Sequence, residues 1–271
     1  VSNGSFSQEG VELVVGGDFS NPSDWTTTTN TTITNNKAEF INAISNTDYI
    51  QQSINAPSGK FYKLQLDISN LGDGESIKIR FPFQDTSITS NGTHIIYKKG
   101  EDSNFLRITP NSATATFAID NVSVREVGQD WTLETGWSIG EDAVNFTYST
   151  PSSLIQDLNV TSGFIYLIEY EIVSNSGVSL KGGGNSFFNV GSSIPTTVGL
   201  HSFYVTAVNS LGIDFRYLSG SGSLSITNIS VKEVGQNWTL NDWSVGDSLI
   251  SSGNTSSLLQ QPSIYTNATG I

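Results

Sequence analysis

Tryptophans that recur at regular spacing are the residues of this chain best suited to ligand chemistry. Trp131 and Trp137 lie close together, and Trp238 and Trp243 repeat the pair further along the chain. An exposed indole can stack on the C–H face of a sugar ring, while amides and carboxylates bind the hydroxyl groups. A tryptophan at the start of a structural unit can instead fill core space, and we favour that interpretation for Trp25, Trp131 and Trp238.

For Trp137 and Trp243, core filling and ligand stacking both stay open. The first unit has Thr31 at the corresponding position, so one unit of the chain dispenses with this indole. We therefore include Trp137 and Trp243 among the candidate glycan-binding residues.

Three glutamines also recur, each at the end of an apolar run: Tyr49-Ile50-Gln51, Leu154-Ile155-Gln156 and Leu258-Leu259-Gln260. An amide offers two donors and an acceptor. It can face a ligand on the concave side of a sheet or satisfy a buried polar group, and the second interpretation is favoured. Gln51, Gln156 and Tyr204 complete the candidate glycan-binding set.

No residue pattern predicts catalysis. Glu169 and Glu171 lie two positions apart in an apolar run. On a strand this spacing places two carboxylates on one face, roughly 6.5–7 Å apart, a separation that can serve glycoside hydrolysis. The first unit has Gln65 and Asp67 there instead, so a solvated strand face is favoured and no catalytic residue is assigned.

Composition excludes several classes of function. The net charge is −13 with only 12 Lys and Arg, which argues against binding of nucleic acids or anionic membranes. The absence of cysteine excludes disulfides and thiolate metal sites. The apolar runs have the length of strands, which predicts that no segment inserts into a membrane. This composition is typical of an extracellular or virion surface β protein.

The chain is a tandem repeat. The stretch AIDNVSVREVGQDWTL at 118–133 returns as SITNISVKEVGQNWTL at 225–240. We take this stretch as the seam between units. The predicted organisation is an N-terminal arm or linker over residues 1–10, a first repeat at 11–128, a second at 129–235 and a partial third at 236–271.

Short alternating runs predict strands throughout. In Phe61–Ile68, apolar side chains occupy every second position, which is typical of a half-buried strand. About eight such runs per unit, separated by Gly, Asn, Ser and Asp turns, indicate a sandwich. The predicted fold is all-β, with two tandem jelly-roll β-sandwich domains and a partial third repeat.

A set of short motifs occurs in the same order in both full units. In the first unit its residues are Leu13–Ser20, Asp24–Thr26, Gln51, Gly59, Tyr62, Gly92, His94 and Ile119–Val127. In the second they are Asp130–Thr132, Gln156, Gly163, Tyr166, Gly199, His201 and Ile226–Val234. The pattern resembles the jelly-roll carbohydrate-binding modules of the galactose-binding-like class, and more closely their tandem copies in phage virion proteins.

This resemblance implies a non-enzymatic virion surface protein, in a tail fibre, a head fibre or a capsid decoration. Its modules would bind glycans on the host cell surface. Its other partners would be virion proteins and further copies of the chain in a homo-oligomer. Two alternatives stay open: a purely structural spacer or capsid-stabilising decoration without a ligand, and the ancillary binding region of a larger cell-surface glycoside hydrolase.

The resemblance also implies a structural calcium ion in the first repeat. Such modules often hold one between the opening turn and the closing strand, where this chain has Asp18 and Asp120. Carboxylate oxygens suit Ca²⁺. The second repeat has Thr227 in place of Asp120 and no opening motif directly before Trp131, so the calcium expectation covers the first repeat only.

Overall fold

The computed structural model describes residues 1–80, 85–101, 103–188, 191, 193–236, 239–241, 243–245, 249–251 and 258–260. Within these ranges the regular structure is β-strand, apart from a short 3-10 helix at Pro22–Asp24. The strands of the first repeat are Glu9–Glu12 (β1), Thr26–Thr27 (β2), Thr31–Thr34 (β3), Lys37–Ile44 (β4), Ile50–Ala56 (β5), Phe61–Ser69 (β6), Ile77–Arg80 (β7), Thr86–Ile88 (β8), Gly92–Lys99 (β9), Ser103–Pro110 (β10) and Thr114–Val127 (β11).

The remaining strands belong to the second repeat and to the start of the third. Those of the second are Thr132–Leu133 (β12), Trp137–Gly140 (β13), Ala143–Thr147 (β14), Ser153–Gln156 (β15), Ile165–Asn175 (β16), Val178–Gly182 (β17), Ser193–Ile194 (β18), Gly199–Thr206 (β19), Ile213–Gly220 (β20) and Ser223–Val234 (β21). Those of the third are Thr239–Asn241 (β22), Trp243–Val245 (β23), Leu249–Ser251 (β24) and Leu258–Gln260 (β25).

The first repeat contains two antiparallel sheets. One has the strand order β3-β4-β11-β6-β9, with β1 also paired to β11, and the other has the order β2-β5-β10-β7-β8. Their inner faces share one core, to which Phe40 and Leu66 contribute from the first sheet and Ile50 and Leu106 from the second. This arrangement is a β-sandwich.

The second repeat has the same strand order in both of its sheets. The sheet β13-β14-β21-β16-β19 corresponds to the first sheet of repeat one, and β12-β15-β20-β17-β18 corresponds to its second sheet. In the third repeat, β22 pairs with β25 and β23 pairs with β24. The prediction of an all-β fold with tandem β-sandwiches is confirmed.

Period-two patterning explains why these segments are strands. In β6, Leu64, Leu66 and Ile68 are buried while Lys63 and the other intervening residues are only half-buried. Since successive side chains point to opposite faces, one face enters the core and the other meets solvent. The predicted alternation of this strand is confirmed.

The first strand lies earlier than the sequence predicts. The apolar run Glu12–Val15 indicates an opening strand, but β1 ends at Glu12. The carboxylate of Glu12 accepts hydrogen bonds from the N–H groups of Leu13 (3.1 Å) and Val14 (3.0 Å). The N–H of Leu13 also donates to the carbonyl oxygen of Val124 on β11 at 2.9 Å, but that of Val14 turns to the Glu12 carboxylate. Regular strand pairing therefore ends at Glu12, and the strand assignment for Leu13–Val15 is wrong.

The chain divides into two compact units. One comprises residues 6–129 and 138–142, and the other comprises 1–5, 130–137 and 143–271. The N-terminal arm or linker predicted at residues 1–10 is divided between these units. Residues 1–5 belong to the unit that contains the second repeat, and Glu9 and Gly10 begin β1. No helix in the described ranges is long and apolar enough to cross a membrane.

Candidate functional site

Four side chains form a cluster on the outer face of the second sheet of the first repeat. Gln51 on β5 and Arg107 on β10 are paired in register. Phe105 lies two residues before Arg107 and therefore points to the same face. Tyr49 immediately precedes β5 and contacts the Arg107 guanidinium. All four are half-buried, and we call Tyr49, Gln51, Phe105 and Arg107 the platform.

The guanidinium of Arg107 is held in place by its three neighbours. Its Nε donates a 2.7 Å hydrogen bond to Oε1 of Gln51. Its Cζ lies 4.1 Å from the ring centroid of Tyr49 and 5.1 Å from that of Phe105, both within cation–π range. Within the described part of the chain, its two terminal nitrogens have no protein partner. The platform therefore presents an oriented pair of donors beside two aromatic rings.

Two more cations, Lys78 and Arg80, lie on the neighbouring strand β7. Arg80 on β7 is paired in register with Arg107. Nε of Arg80 and Nζ of Lys78 lie 3.7 and 3.6 Å from the same carboxylate oxygen of Asp85. Such partly exposed ion pairs add little stability. Among the described residues, β7 and β10 place Lys78, Arg80 and Arg107 on this sheet face, in a chain whose net charge is −13.

Asp48 fixes the loop that positions Tyr49. It is 1% exposed. Its carboxylate accepts hydrogen bonds from Thr28 Oγ1 (3.1 Å), Asn30 N (3.3 Å), Asn30 Nδ2 (2.8 Å) and Ile44 N (2.8 Å). Burial acts to raise the pKa of Asp48, but the hydrogen bonds from Ile44, Asn30 and Thr28 together hold it below its ordinary value. Thr28 Oγ1 also accepts a 2.8 Å bond from Tyr49 N, which links this network to the platform.

Gln156 is a buried structural residue and not a ligand contact. It is 3% exposed, and its amide exchanges two hydrogen bonds with Ser2. The residue that makes the same bonds in the first repeat is Gln52, not Gln51. The sequence alignment of Gln51 with Gln156 is thus wrong by one position. In a strand, a shift of one residue exchanges the two faces, so Ile155 is the counterpart of Gln51.

The structure confirms the predictions for two tryptophans and contradicts the prediction for a third. Trp25 and Trp131 are buried at 6% and 8% exposure, which confirms their core assignment. Trp137 is 3% exposed, and its ring centroid lies 4.8 Å from that of Phe146. It offers no face to a sugar, so its candidacy as a glycan contact is wrong. Trp238 and the side chain of Trp243 lie outside the described residues.

Tyr204 lies apart from the other candidates. It is half-buried on β19 and lines a pocket of about 540 Å³. The other lining residues are mainly apolar: Phe188, Ser193, Ile194, Pro195, Phe203, Val205, Thr206 and Val208. A sugar needs fixed polar partners for its hydroxyl groups. The platform provides such partners with a charge and an amide, whereas the described residues that line this pocket provide only the hydroxyl groups of Ser193, Tyr204 and Thr206.

Glu169 forms an ion pair with Lys232. Lys232 Nζ donates to its Oε2 at 2.8 Å, and Ser230 Oγ donates to the same atom at 3.0 Å. These bonds hold the pKa of Glu169 below its ordinary value. Glu171 accepts a 2.9 Å bond from Asn228 Nδ2. A general acid of glycoside hydrolysis needs a raised pKa, which is the opposite arrangement.

The two carboxylates predicted to hold calcium each bond to a near neighbour in sequence. Oδ1 of Asp18 accepts from the N–H and the hydroxyl of Ser20, which lower the pKa of Asp18. Oδ1 of Asp120 accepts from the N–H of Asn121 at 2.8 Å. Among the described residues, no group of three His, Cys, Asp or Glu side chains is placed to hold a metal ion. The calcium site stays a prediction, with two carboxylates as its only support.

Sequence reasoning finds Gln51 but misses its three neighbours. The run Asn104-Phe105-Leu106-Arg107 places an aromatic ring and a cation on one face, because they are two residues apart. In a chain with so few cations, that pair was a usable signal. The contribution of Tyr49 depends on the pairing of β5 with β10, which no local pattern specifies.

No protein-family model matches the chain, and no curated protein matches it. Among solved structures, the chain is similar to the N-terminal CBM22-1–CBM22-2 tandem domain from Paenibacillus barcinonensis Xyn10C. The identity is 8%, the TM-score is 0.33, and the match covers 84% of this chain and 98% of that one. It is also similar to the tandem CBM51 modules of Sp3GH98, the family 98 glycoside hydrolase from Streptococcus pneumoniae SP3-BS71. Here the identity is 10%, the TM-score is 0.24, and the coverage is 84% and 97%.

Proposed function

We propose that the first repeat is a non-catalytic binding module for glycans that carry an acidic group, and that the platform is its binding surface. The observation that carries this proposal is Arg107. Its guanidinium is oriented by Gln51 and by two half-exposed rings, and its terminal nitrogens are unpaired within the described part of the chain.

The chemistry of the platform suits a uronate or a sulfated sugar. A planar guanidinium can donate two parallel hydrogen bonds to a carboxylate or sulfate. The rings of Tyr49 and Phe105 offer apolar surface to the C–H face of the same or a neighbouring sugar. Lys78 and Arg80 add positive potential, which attracts an anionic chain of several such residues.

The setting of this module is also part of the proposal. By its resemblance to tandem phage modules, the chain is a surface component of a virion, associated with other virion proteins and with further copies of itself. Each module then binds host glycans weakly, and many copies on one particle raise the overall avidity. The platform serves equally well in an ancillary region of a larger glycoside hydrolase, and the full-length gene product distinguishes the two settings.

Replacing Arg107 by lysine tests the platform directly. Lysine keeps the charge but loses the planar pair of donors, so we expect the affinity for a galacturonic acid oligosaccharide to fall about tenfold, equivalent to about 1.4 kcal/mol. Isothermal titration calorimetry with this ligand, and with a neutral galactose oligosaccharide of the same length, measures the difference. The wild type should prefer the acidic ligand.

Arg216→Lys is the matched control, since Arg216 is a half-buried arginine of the second repeat. This variant should bind the acidic oligosaccharide as the wild type does. If the wild type binds neither ligand, or if Arg107→Lys binds the acidic one with unchanged affinity, the platform is not a glycan site. The spacer interpretation would then be favoured.

A further inference from the structure

Within the N-terminal segment Ser2–Phe6, residues 2–5 occupy a defined site on the second repeat and belong to the same compact unit. Ser2 exchanges two hydrogen bonds with Gln156, of 2.8 and 2.9 Å. Trp131 Nε1 donates to the carbonyl oxygens of Ser2 (3.1 Å) and Asn3 (3.2 Å). The segment is thus bound through its backbone by two side chains distant in sequence.

Two residues of the closing strand β21 complete this site. The N–H of Ile229 donates a 2.9 Å bond to the carbonyl oxygen of Gly4. Thr227 Oγ1 donates to the carbonyl oxygen of Ser5 at 3.3 Å. We call Trp131, Gln156, Thr227 and Ile229 the acceptor site.

The first repeat makes the same contacts with its own opening segment, Val15–Phe19. Gln52 exchanges bonds of 2.8 and 2.7 Å with Val15. Trp25 Nε1 donates to the carbonyl oxygen of Gly16 at 2.9 Å. The N–H of Val122 donates to the carbonyl oxygen of Gly17 at 2.9 Å. Ser2–Phe6 therefore stands in for the opening segment that the second repeat lacks at its own start.

The backbone conformations of the two segments agree as well. Asn3 and Gly16 have φ of 47° and 59°, and Phe6 and Phe19 have φ of 58° and 54°. Both phenylalanines are buried. A left-handed phenylalanine is rare, so its occurrence at the same place in both segments indicates one shared motif.

The glycine in each segment is required by close backbone approach. A Cβ on Gly4 would lie 1.9 Å from the carbonyl oxygen of Ile229, and one on Gly17 would lie 1.9 Å from that of Val122. The acceptor site thus binds the segment through its backbone and requires a residue without a side chain at Gly4.

The two segments differ in how they reach their sites. In the first repeat, Phe19 is followed almost at once by Trp25. In the second, the whole of residues 7–130 separates Phe6 from Trp131. Its acceptor site therefore already binds a segment that is remote along the chain, and it does so through hydrogen bonds.

We propose that the acceptor site of the second repeat is a peptide-binding site, and that it takes the N-terminal segment of a second copy of this chain in exchange for its own. Exchange of an identical segment preserves every contact, so its equilibrium depends on chain concentration and on the connecting residues. Copies joined in this way form linked assemblies without any new interface.

A chain that is cleaved after it has folded tests this proposal, because the cleavage does not interfere with folding. A protease site is introduced between Ser7 and Gln8, the protein is folded, and the chain is then cleaved. We expect the fragment to co-elute with the remainder in size-exclusion chromatography. An excess of a fluorescent peptide Val-Ser-Asn-Gly-Ser-Phe-Ser should replace it. A fragment that leaves at once, or one that the labelled peptide never displaces, overturns the proposal.

The same peptide with Gly4→Ala is the specificity control. It should compete at least tenfold less well, because its added methyl group meets the Ile229 carbonyl. The Gln156→Ala variant of the nicked chain should release the fragment at least tenfold faster. Equal competition by the two peptides would show that binding is unspecific and would also overturn the proposal. The glycan platform lies in the other repeat, so this outcome leaves the proposed function untouched.

Discussion

Replacing Asp48 by alanine is expected to lower the free energy of unfolding of the first repeat by about 4 kcal/mol. The carboxylate of Asp48 is buried and accepts four hydrogen bonds, from Thr28, Asn30 and Ile44. Without it, several donors stay buried and unpaired, and each such donor costs about 1–3 kcal/mol. Urea denaturation at pH 7 measures the loss.

The effect of Asp48 should also depend on pH, with a defined sign. Its folded-state pKa is depressed below that of the unfolded chain, which is about 3.9 for an aspartate. Its contribution is therefore fully present above the unfolded-state pKa and is lost as the pH falls through the folded-state pKa. The stability difference between the wild type and Asp48→Ala should shrink as the pH is lowered from 5 toward about 3.

Asp73→Ala is the control for this substitution, because Asp73 lies on an exposed turn of the same repeat. We expect this change to stay within about 0.5 kcal/mol of the wild type. If Asp48→Ala costs no more than Asp73→Ala, the hydrogen-bond network around Asp48 does not hold the repeat together.

The alternation of apolar and polar residues predicted the strands, because the face that each side chain takes depends only on its position along the strand. The alternation in Phe61–Ile68 reports which face each side chain takes, and this follows from strand geometry alone. Register is a different matter. Gln51 and Gln52 are adjacent amides with opposite orientations, and only the side-chain bonds of Gln52 to Val15 show that Gln52 is the one that matches Gln156.

Burial and long-range pairing limited the site prediction. From the sequence, Trp137 could be an exposed indole that stacks on a sugar, yet it is buried and packs against Phe146 in the core. The role of Ser2–Phe6 was hidden for a related reason. Its Gly-Ser-Phe resembles the Gly-Asp-Phe of residues 17–19, but its partner strand is more than two hundred residues away, at Thr227 and Ile229.

Replacing Gly17 by alanine should destabilise the first repeat by about 3 kcal/mol. The new Cβ would lie 1.9 Å from the carbonyl oxygen of Val122, and a backbone atom of the closing strand cannot easily move aside. The opening segment must then shift, which breaks the bond from Val122 N and weakens the paired bonds of Gln52. Differential scanning calorimetry should show a midpoint lowered by roughly 10 °C for this repeat.

The expected loss of stability in Gly17→Ala comes from a steric clash and not from the loss of glycine's conformational freedom. Gly17 does not have a positive φ, and neither does Gly184, where an added Cβ meets nothing within 4 Å. Gly184→Ala should therefore leave the calorimetric transitions unchanged. Gly4→Ala has the same close contact as Gly17→Ala, but in the second repeat, so it should lower that repeat's transition and leave the first one in place. If both substitutions lowered the same transition, the correspondence between Ser2–Phe6 and Val15–Phe19 would be wrong.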